Sequence, residues 1–560
     1  MLDFNEDKQD KKIDLLRAQE EENLTSMLSQ KYGLPYLDLT TVPINIDALR
    51  VISEEKARAS NIAAFNLIDK KVSLGVLSPE NENTKNFIKE ITDLGYIPEI
   101  YMVSHQSLNK VWERYKDLSY SFETKGGALD ISNEEITNFL KQVHTLEDIK
   151  KLIENILTAK KAYRISRTLE IIVAGALATN ASDIHMEPEE GYARLRYRLD
   201  GVLVDILKFD EETYTLILPR IKLLSGLKLN LHGVAQDGRF SIKLGIDEIE
   251  IRTSVLPGAY NDSVVLRILN PKSISVPLEE LGIHPKLLKI LMDEIRKPNG
   301  MILTTGPTGS GKTTTLYAFM KKIHSPDIKI ITIENPIEYH LPGIVQTQTD
   351  SEKGYTFLEG LRSALRQDPD VIMVGEIRDE ETAEIAVNSA LTGHLVFSTL
   401  HTNNAAGTFP RLIDLDINPK VLSSAVNVAM AQRLVRKLCP FCKKEHILTA
   451  EEKELINKII SKITDKTYLE GLQTEKIWTS VGCEKCHNTG YKGRTGVYEA
   501  IKMDKAIEDI VIKNPSEREV SNVSKNQGLL DMREDGVIKI LSGITSLDEL
   551  SRVIDMTEDL

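Results

Sequence analysis

The stretch from Gly300 to Tyr317, GMILTTGPTGSGKTTTLY, decides how the rest of the chain is read. Met301 to Thr305 is a short apolar, β-branched run suited to a buried strand. The next eight residues, Gly306-Pro307-Thr308-Gly309-Ser310-Gly311-Lys312-Thr313, match the phosphate-loop pattern residue for residue. Leu316, Phe319, Met320 and Ile323 then recur at i, i+3, i+4 and i+7, which predicts a helix and completes the strand, loop and helix context.

Phosphate chemistry needs these residue types. Glycines let successive backbone N–H groups turn inward and approach phosphate oxygens, and the helix N-terminus adds a dipole that favours anions. Lys312 is placed to set a charge between the β- and γ-phosphates, and the Thr313 hydroxyl is the expected magnesium ligand. The candidate nucleotide-binding residues are Gly306, Pro307, Thr308, Gly309, Ser310, Gly311, Lys312, Thr313 and Thr314. A glycine-rich turn that binds nothing is the plain alternative, and a complete pattern in its proper context counts against it.

Working outward, the chain has 560 residues, too many for one core, so about three to four domains are expected. Hydrophobic residues at 41% and charged residues at 27% describe an ordinary globular protein. A net charge of -13 argues against a dedicated nucleic-acid binder. The first residues, MLDFNEDKQDKKIDLL, are charged from the third position, and no apolar run in the chain reaches membrane-span length. The expectation is a cytosolic protein that reaches a membrane only through another protein.

Residues 1–115 suggest an N-terminal α/β module. Gly33-Leu34-Pro35-Tyr36 breaks a helix, and Lys71 to Leu77 reads as a strand ended by Ser78-Pro79. With no catalytic constellation there, a docking or regulatory role is favoured. Residues 116–160 suggest a helical linker, with a capping-box signature at Ser132-Asn133-Glu134-Glu135 and a second short helix from Thr145.

A second globular unit, 161–282, opens with a helix from Arg164 through Ala178. In Ala193 to Leu199, Leu195, Tyr197 and Leu199 point one way, and Arg194, Arg196 and Arg198 the other. Asp200-Gly201 is a hairpin signal, and Gln236-Asp237-Gly238-Arg239-Phe240 repeats that turn logic. Arg196, Arg198 and Arg239 are therefore expected to reach one anionic target, with a solvated, salt-bridged face as the alternative. Arg252 and Arg267 sit on later strands.

Residues 283–560 complete the chain. Ile328 to Ile333 is a strand ending in Glu334-Asn335-Pro336-Ile337-Glu338, and Val371 to Val374 ends in Gly375-Glu376. Acidic groups at strand ends, this far after a phosphate loop, are where magnesium is held and the attacking water polarised, which marks Glu334 and Glu376. His394 and His401 bracket the strand Leu395 to Leu400, and are candidate sensors of the γ-phosphate. Cys439-Pro440-Phe441-Cys442 and Cys483-Glu484-Lys485-Cys486 are two C-x-x-C knuckles in an otherwise cysteine-free chain, the pattern of a closed tetrahedral Zn²⁺ site; a redox pair is the alternative. A helix at Ala450 to Lys462 fills part of the long loop between them, and the tail 501–560 reads as amphipathic helices without a site.

Taken together, ASDIHMEP (181–188), RLRYRLDGVL (194–203), GPTGSGKTTTLY (306–317), ITIENPIEY (331–339), DPDVIMVGEIRD (368–379), TGHLVFSTLHTN (392–403), QRLVRKLC (432–439) and GYKGRTGVYE (490–499) resemble the secretion ATPases of type II secretion and type IV pilus assembly, assembly type. The resemblance implies an α/β, multidomain chain: a RecA-like P-loop ATPase core, a smaller PAS-like α+β sheet domain, an N-terminal α/β docking module and a zinc-binding insertion at 433–500. It implies ATP hydrolysis with Mg²⁺, a homohexameric ring, arginines completing sites across protomers, and a membrane platform protein as partner at the inner face of the plasma membrane. Catalytic roles are implied for Glu376, Glu334, Lys312, Arg196, Arg198, Arg239 and His401. Two positions depart from the family pattern: Asn335 stands where Asp is usual, and Gly258-Ala259-Tyr260-Asn261-Asp262-Ser263 replaces a turn that usually contains Gly-Glu. A cyclic-dinucleotide motif known in some relatives is not intact in the N-terminal module, so no such ligand is expected. A RecA-like nucleic-acid translocase is the alternative function; acidic charge and the lack of an aromatic, basic groove disfavour it, and no nucleic-acid partner is expected.

Overall fold

A computed structural model describes residues 20–556, apart from residues 43, 50, 69, 94, 118–121, 125–127, 131–142, 144, 158–160, 230, 232, 245–246 and 271–275. The expected capping box at 132–135 lies outside the described residues; the helix after Thr145 is Leu146–Leu157, with Thr145 and Asp148 capping each other. The chain divides into two compact units, 1–132 with 152–172, and 133–151 with 173–560.

In the first unit, strands Ile62–Ile68, Lys71–Val76 and Ile97–Met102 form a three-stranded sheet, antiparallel then parallel. The helix over 20–32 stops where Gly33 takes φ 64°, a left-handed turn that favours glycine. Helices Glu54–Ser60 and His105–Glu113 cover the sheet, and Trp112 donates Nε1–H to the carbonyl of Ile62 at 3.0 Å.

The second unit contains six strands of one antiparallel sheet, a seven-stranded sheet and a two-stranded ladder. Six antiparallel strands stand in the order Gln236–Leu244, Asp247–Leu256, Ser263–Leu269, Asp183–Glu189, Tyr192–Leu199, Val202–Asp210. Along Tyr192–Leu199 burial alternates with period two, because one face packs under helix Glu211–Leu224 while the other carries the arginines. Asp262, in the divergent turn, is a buried anchor: its carboxylate accepts from Lys222 Nζ at 2.7 Å and its carbonyl from Tyr214 OH at 2.5 Å. The Asp200-Gly201 hairpin is present, with φ of 47° and 88°. Asp237-Gly238, expected as a turn, lies inside a strand instead, with Gly238 opposite Thr253. Glycine is needed there for close approach, since a Cβ would stand 2.3 Å from the carbonyl oxygen of Ser225 at the end of the covering helix.

The larger sheet has seven strands in the order Val345–Gln348, Ile330–Glu334, Val371–Val374, Leu395–Leu400, Gly300–Thr305, Val426–Leu438, Tyr491–Lys502. All pairings are parallel except the last, between Val426–Leu438 and Tyr491–Lys502. Gly300–Thr305 is buried along its whole length, with Met301 and Leu303 in one apolar core and Ile302 in another, as a sheet covered on both faces requires. The two long strands that flank the cysteine region belong to this sheet, so the cysteine subdomain lies between Leu438 and Tyr491, narrower than 433–500. Within it Lys444–Ile447 pairs with Lys476–Thr479, and helix Ala450–Lys462 starts in a Thr449–Glu452 capping box.

Glu499 binds three parts of this unit together. It lies in Tyr491–Lys502, and its two oxygens accept the Ala405 N–H at 2.5 Å and the Met532 N–H at 3.3 Å. Burial, reinforced by Asp531 and opposed by those donors and by Arg433, pushes its carboxyl up to about 7.

Two outcomes are expected. Gly238→Ala should destabilise the protein by about 1–3 kcal/mol through overpacking, read as a lower chemical-denaturation midpoint. Because Glu499 keeps its proton in the folded state after the unfolded chain has lost it, stability should fall as pH rises from about 4.5 to about 7 and level off above. Thermal melts of Glu499→Gln should show a flatter slope across that window; the residual slope belongs partly to Glu534, also raised to about 7 by burial.

Candidate active site

The loop 306–311 follows Gly300–Thr305, and helix Lys312–Ile323 begins at Gly311, which takes φ 90°. Pro307, Thr308 and Gly309 are exposed, Ser310 is buried, and Gly311, Lys312, Thr313 and Thr314 are part-buried, so the loop rims an open cradle at the strand's C-terminal end. Lys312 Nζ folds onto the loop, donating to the carbonyls of Gly306 at 2.8 Å and Pro307 at 3.2 Å, and burial holds its pKa below the ordinary lysine value.

One strand away is Leu395–Leu400, and beyond it Val371–Val374, with Glu376 two residues past its end. The parallel register brings His401 to Glu376, with Nε2 3.3 Å from Oε2, and Arg378 Nε lies 2.7 Å from the same oxygen. Glu376 is thus presented beside Lys312, whose charge it supports. His394 lies at the opposite end of the strand, with Nδ1 3.1 Å from the Ser389 carbonyl. Of the two bracketing histidines, only His401 is at the site.

The acidic box divides differently from expectation. Glu334 is 2% exposed and accepts hydrogen bonds from Tyr317 OH, from Thr332 Oγ1 at 2.5 Å and from Gln346 Nε2 at 3.1 Å. This network ties its strand to the phosphate-loop helix, and burial raises its pKa. Both Glu334 oxygens are engaged in this structure, one by Tyr317 and the other by Thr332 and Gln346. Asn335 is exposed and precedes a cis proline, and Glu338 lies 3.7 Å from Arg252, which also donates Nη2–H to the Ile337 carbonyl at 2.7 Å.

The arginines form a row across the smaller sheet. Arg239 faces Arg252, Arg252 faces Arg267, Arg267 faces Asp183, and Asp183 faces Arg198. Arg198 and Arg239 are therefore four strand spacings apart, about 19 Å, and do not converge on one target with Arg196 within a protomer. The ends also differ chemically. Arg196 pairs with Glu187 and Arg198 with Asp183 at 3.3 Å, whereas Arg239 is 74% exposed with Glu250 at 3.7 Å. An exposed pair at that distance holds its arginine weakly.

The sulfurs of Cys439, Cys442, Cys483 and Cys486 all lie within 4.8 Å of one another, with Cys439–Cys483 at 3.9 Å, Cys442–Cys486 at 3.8 Å and Cys483–Cys486 at 3.7 Å. Four sulfurs about 2.3 Å from a tetrahedral ion stand about 3.8 Å apart. Backbone N–H groups of Gly482, Cys483 and Gly490 point at the sulfurs of Cys442 and Cys486, at 3.4, 3.2 and 3.3 Å. The donor set fits a thiolate-bound metal.

Two residues of the QRLVRKLC stretch had no site role in the sequence reading. Gln432 and Arg433 stand beside the phosphate loop, brought from more than a hundred residues downstream by parallel pairing of Thr305 with Ala431. Only the strand pairing reveals this, because nothing in their local pattern marks a phosphate site.

A glycine-rich loop closing on a buried parallel strand, with a lysine at the helix start and a glutamate two strands away, defines a P-loop nucleotide hydrolase. Residues 158–552 match the family described as type II/IV secretion system protein, and residues 32–121 match the MshEN domain. The type II secretion system protein E of Aeromonas hydrophila is 42% identical over 400 residues, 71% of this chain and 77% of that protein. That of Pseudomonas aeruginosa is 41% identical over 431 residues, covering 77% and 81%. The type IV pilus assembly ATPase PilB of Myxococcus xanthus is 34% identical over 534 residues, covering 95% and 91%. The chain belongs to the type II/IV secretion system protein family, and it is an ATPase.

Proposed function

We propose that this chain is a motor that converts ATP hydrolysis into assembly of a type IV pilus or a type II secretion pseudopilus. It works as a homohexameric ring held by a membrane platform protein at the cytoplasmic face of the inner membrane, without nucleic acid. The observation that carries the reading is the grouping of Lys312, Glu376 and His401 at neighbouring strand ends of one parallel sheet. PilB's similarity over 95% of the chain, N-terminal module included, favours an assembly motor. Among the described residues no helix is long and apolar enough to cross a membrane, consistent with attachment through a partner.

In this site the loop amides bind the phosphates, and Lys312 sets its charge between the last two. The Thr313 hydroxyl would hold Mg²⁺, which would supply positive charge against the triphosphate and the departing ADP. Glu376 orients and deprotonates the attacking water, and His401 fixes the Glu376 carboxylate. Arg239, the exposed end of the row, acts across a protomer boundary, with Arg196 and Arg198 completing the anionic surface nearer their own strand. The four cysteines hold one structural Zn²⁺ that ties the two knuckles together.

Lys312→Ala should reduce hydrolysis to background, a loss of about 10³-fold or more, while the fold persists. Glu376→Gln should retain ATP without turnover; single-turnover measurements decide, and parental turnover in Glu376→Gln removes its assignment as the water-activating base. Stimulation of hydrolysis by DNA would restore the translocase reading. For the cysteine site, metal analysis of purified protein should find one zinc per chain, and Cys483→Ser should expose residues 439–490 to protease. A zinc site of this kind contributes on the order of 10 kcal/mol, so well under one zinc per chain overturns the assignment.

A further inference from the structure

Gln432 and Arg433 extend the Val426–Leu438 strand past the end of Gly300–Thr305 and lie against the loop 306–311. Gln432 is 1% exposed and its Oε1 accepts from Thr315 Oγ1 at 2.8 Å, so it braces the first turns of the phosphate-loop helix from beneath. A Cβ built on Gly306 would stand 2.6 Å from the Gln432 carbonyl oxygen and 3.1 Å from Arg433 Nη1. The guanidinium therefore rests on the first glycine of the loop.

Its other contacts lead to the catalytic glutamate. Arg433 Nη2 donates to the Asn403 carbonyl at 2.7 Å, and Nη1 to the Gln432 carbonyl at 3.1 Å. Asn403 is two residues from His401, which reaches Glu376. Arg433 is also close enough to Lys312 to act on its charge. One cation thus touches the phosphate loop, lies beside the phosphate-binding lysine and holds the loop that presents His401 to Glu376. Behind it, buried Glu499 anchors Ala405 at the far end of the same loop.

We infer that Arg433 is a positioning residue that recognises the terminal phosphate of ATP within its own protomer and, through the Asn403 carbonyl, sets the position of His401 against Glu376. A guanidinium has five donors in a rigid fork, so two carbonyl bonds leave donors for a phosphate oxygen. A terminal phosphate competes for the fork as a charged acceptor, whereas ADP lacks that group, so the 401–407 loop is set differently in the two nucleotide states. This inference rests on the assignment of loop 306–314 as the ATP site.

The test uses full-length Arg433→Gln and Arg433→Lys, with Lys312→Ala as reference. Fluorescent ATP and ADP analogues give affinities, steady-state assays give kcat, and hydrogen exchange follows residues 401–407. In Arg433→Gln, ADP affinity should stay within about twofold of the parent, while ATP affinity and kcat fall by about 10- to 100-fold, the size of one lost charge-assisted hydrogen bond. ATP-dependent protection of 401–407 should disappear. Arg433→Lys should recover only part of the ATP preference, because a point charge lacks the fork; it also carries the test if the glutamine variant does not fold. Equal losses of ATP and ADP affinity, or parental kcat with parental protection, overturn the inference. If Lys312→Ala still hydrolyses ATP, the site assignment itself fails; if it is inactive while both Arg433 variants behave as the parent, only the inference about Arg433 fails.

Discussion

The whole active site depends on the burial of Gly300–Thr305 between two parallel neighbours. Leu395–Leu400 bonds to one edge and Val426–Leu438 to the other, so neither edge is free and both faces are covered by apolar cores. A strand held in this way cannot slide, since a one-residue slip would exchange its two faces. The phosphate loop at its end is consequently a rigid platform, with its lysine, the Walker-type glutamate and the histidine all brought to one edge of the sheet. Parallel strands are what make this possible, because their C-terminal ends all open on the same side.

Charge is distributed around that platform in layers. Lys312 and Arg433 lie at the loop, Glu376 faces them with His401 and Arg378 on its carboxylate, and Glu334 and Glu499 are buried further back. The two buried carboxylates serve architecture, since their oxygens are occupied by hydroxyl, amide and backbone donors. Glu376 differs in that its partners, Arg378 and His401, are exposed side chains.

The smaller sheet shows the same economy on its polar face. Arginines and carboxylates alternate across neighbouring strands, so most of its positive charge is balanced within the sheet, and Arg252 extends the pattern to the loop after Glu334. Arg239 is the most exposed arginine of the row and is held only by Glu250 at 3.7 Å.

Local patterns in the sequence were sufficient for the phosphate loop, the alternating arginine strand, the Asp200-Gly201 turn, the cysteine knuckles and helix Ala450–Lys462, because each is set by spacing within a few residues. Glu376 was legible from an apolar run ending in an acid at a suitable distance from the loop. Pairing between distant strands decided the rest. It buried Glu334 under Tyr317, separated His394 from His401, moved Asp237-Gly238 from a turn into a strand, spread Arg198 and Arg239 about 19 Å apart, and placed Gln432 and Arg433 beneath the phosphate loop. Sequence by itself determined which stretches have the residue types and spacing suited to phosphate and metal chemistry, since those are set within a few residues. Only the tertiary structure decided which of them share a site, because sheet register, and not separation along the chain, sets which side chains meet.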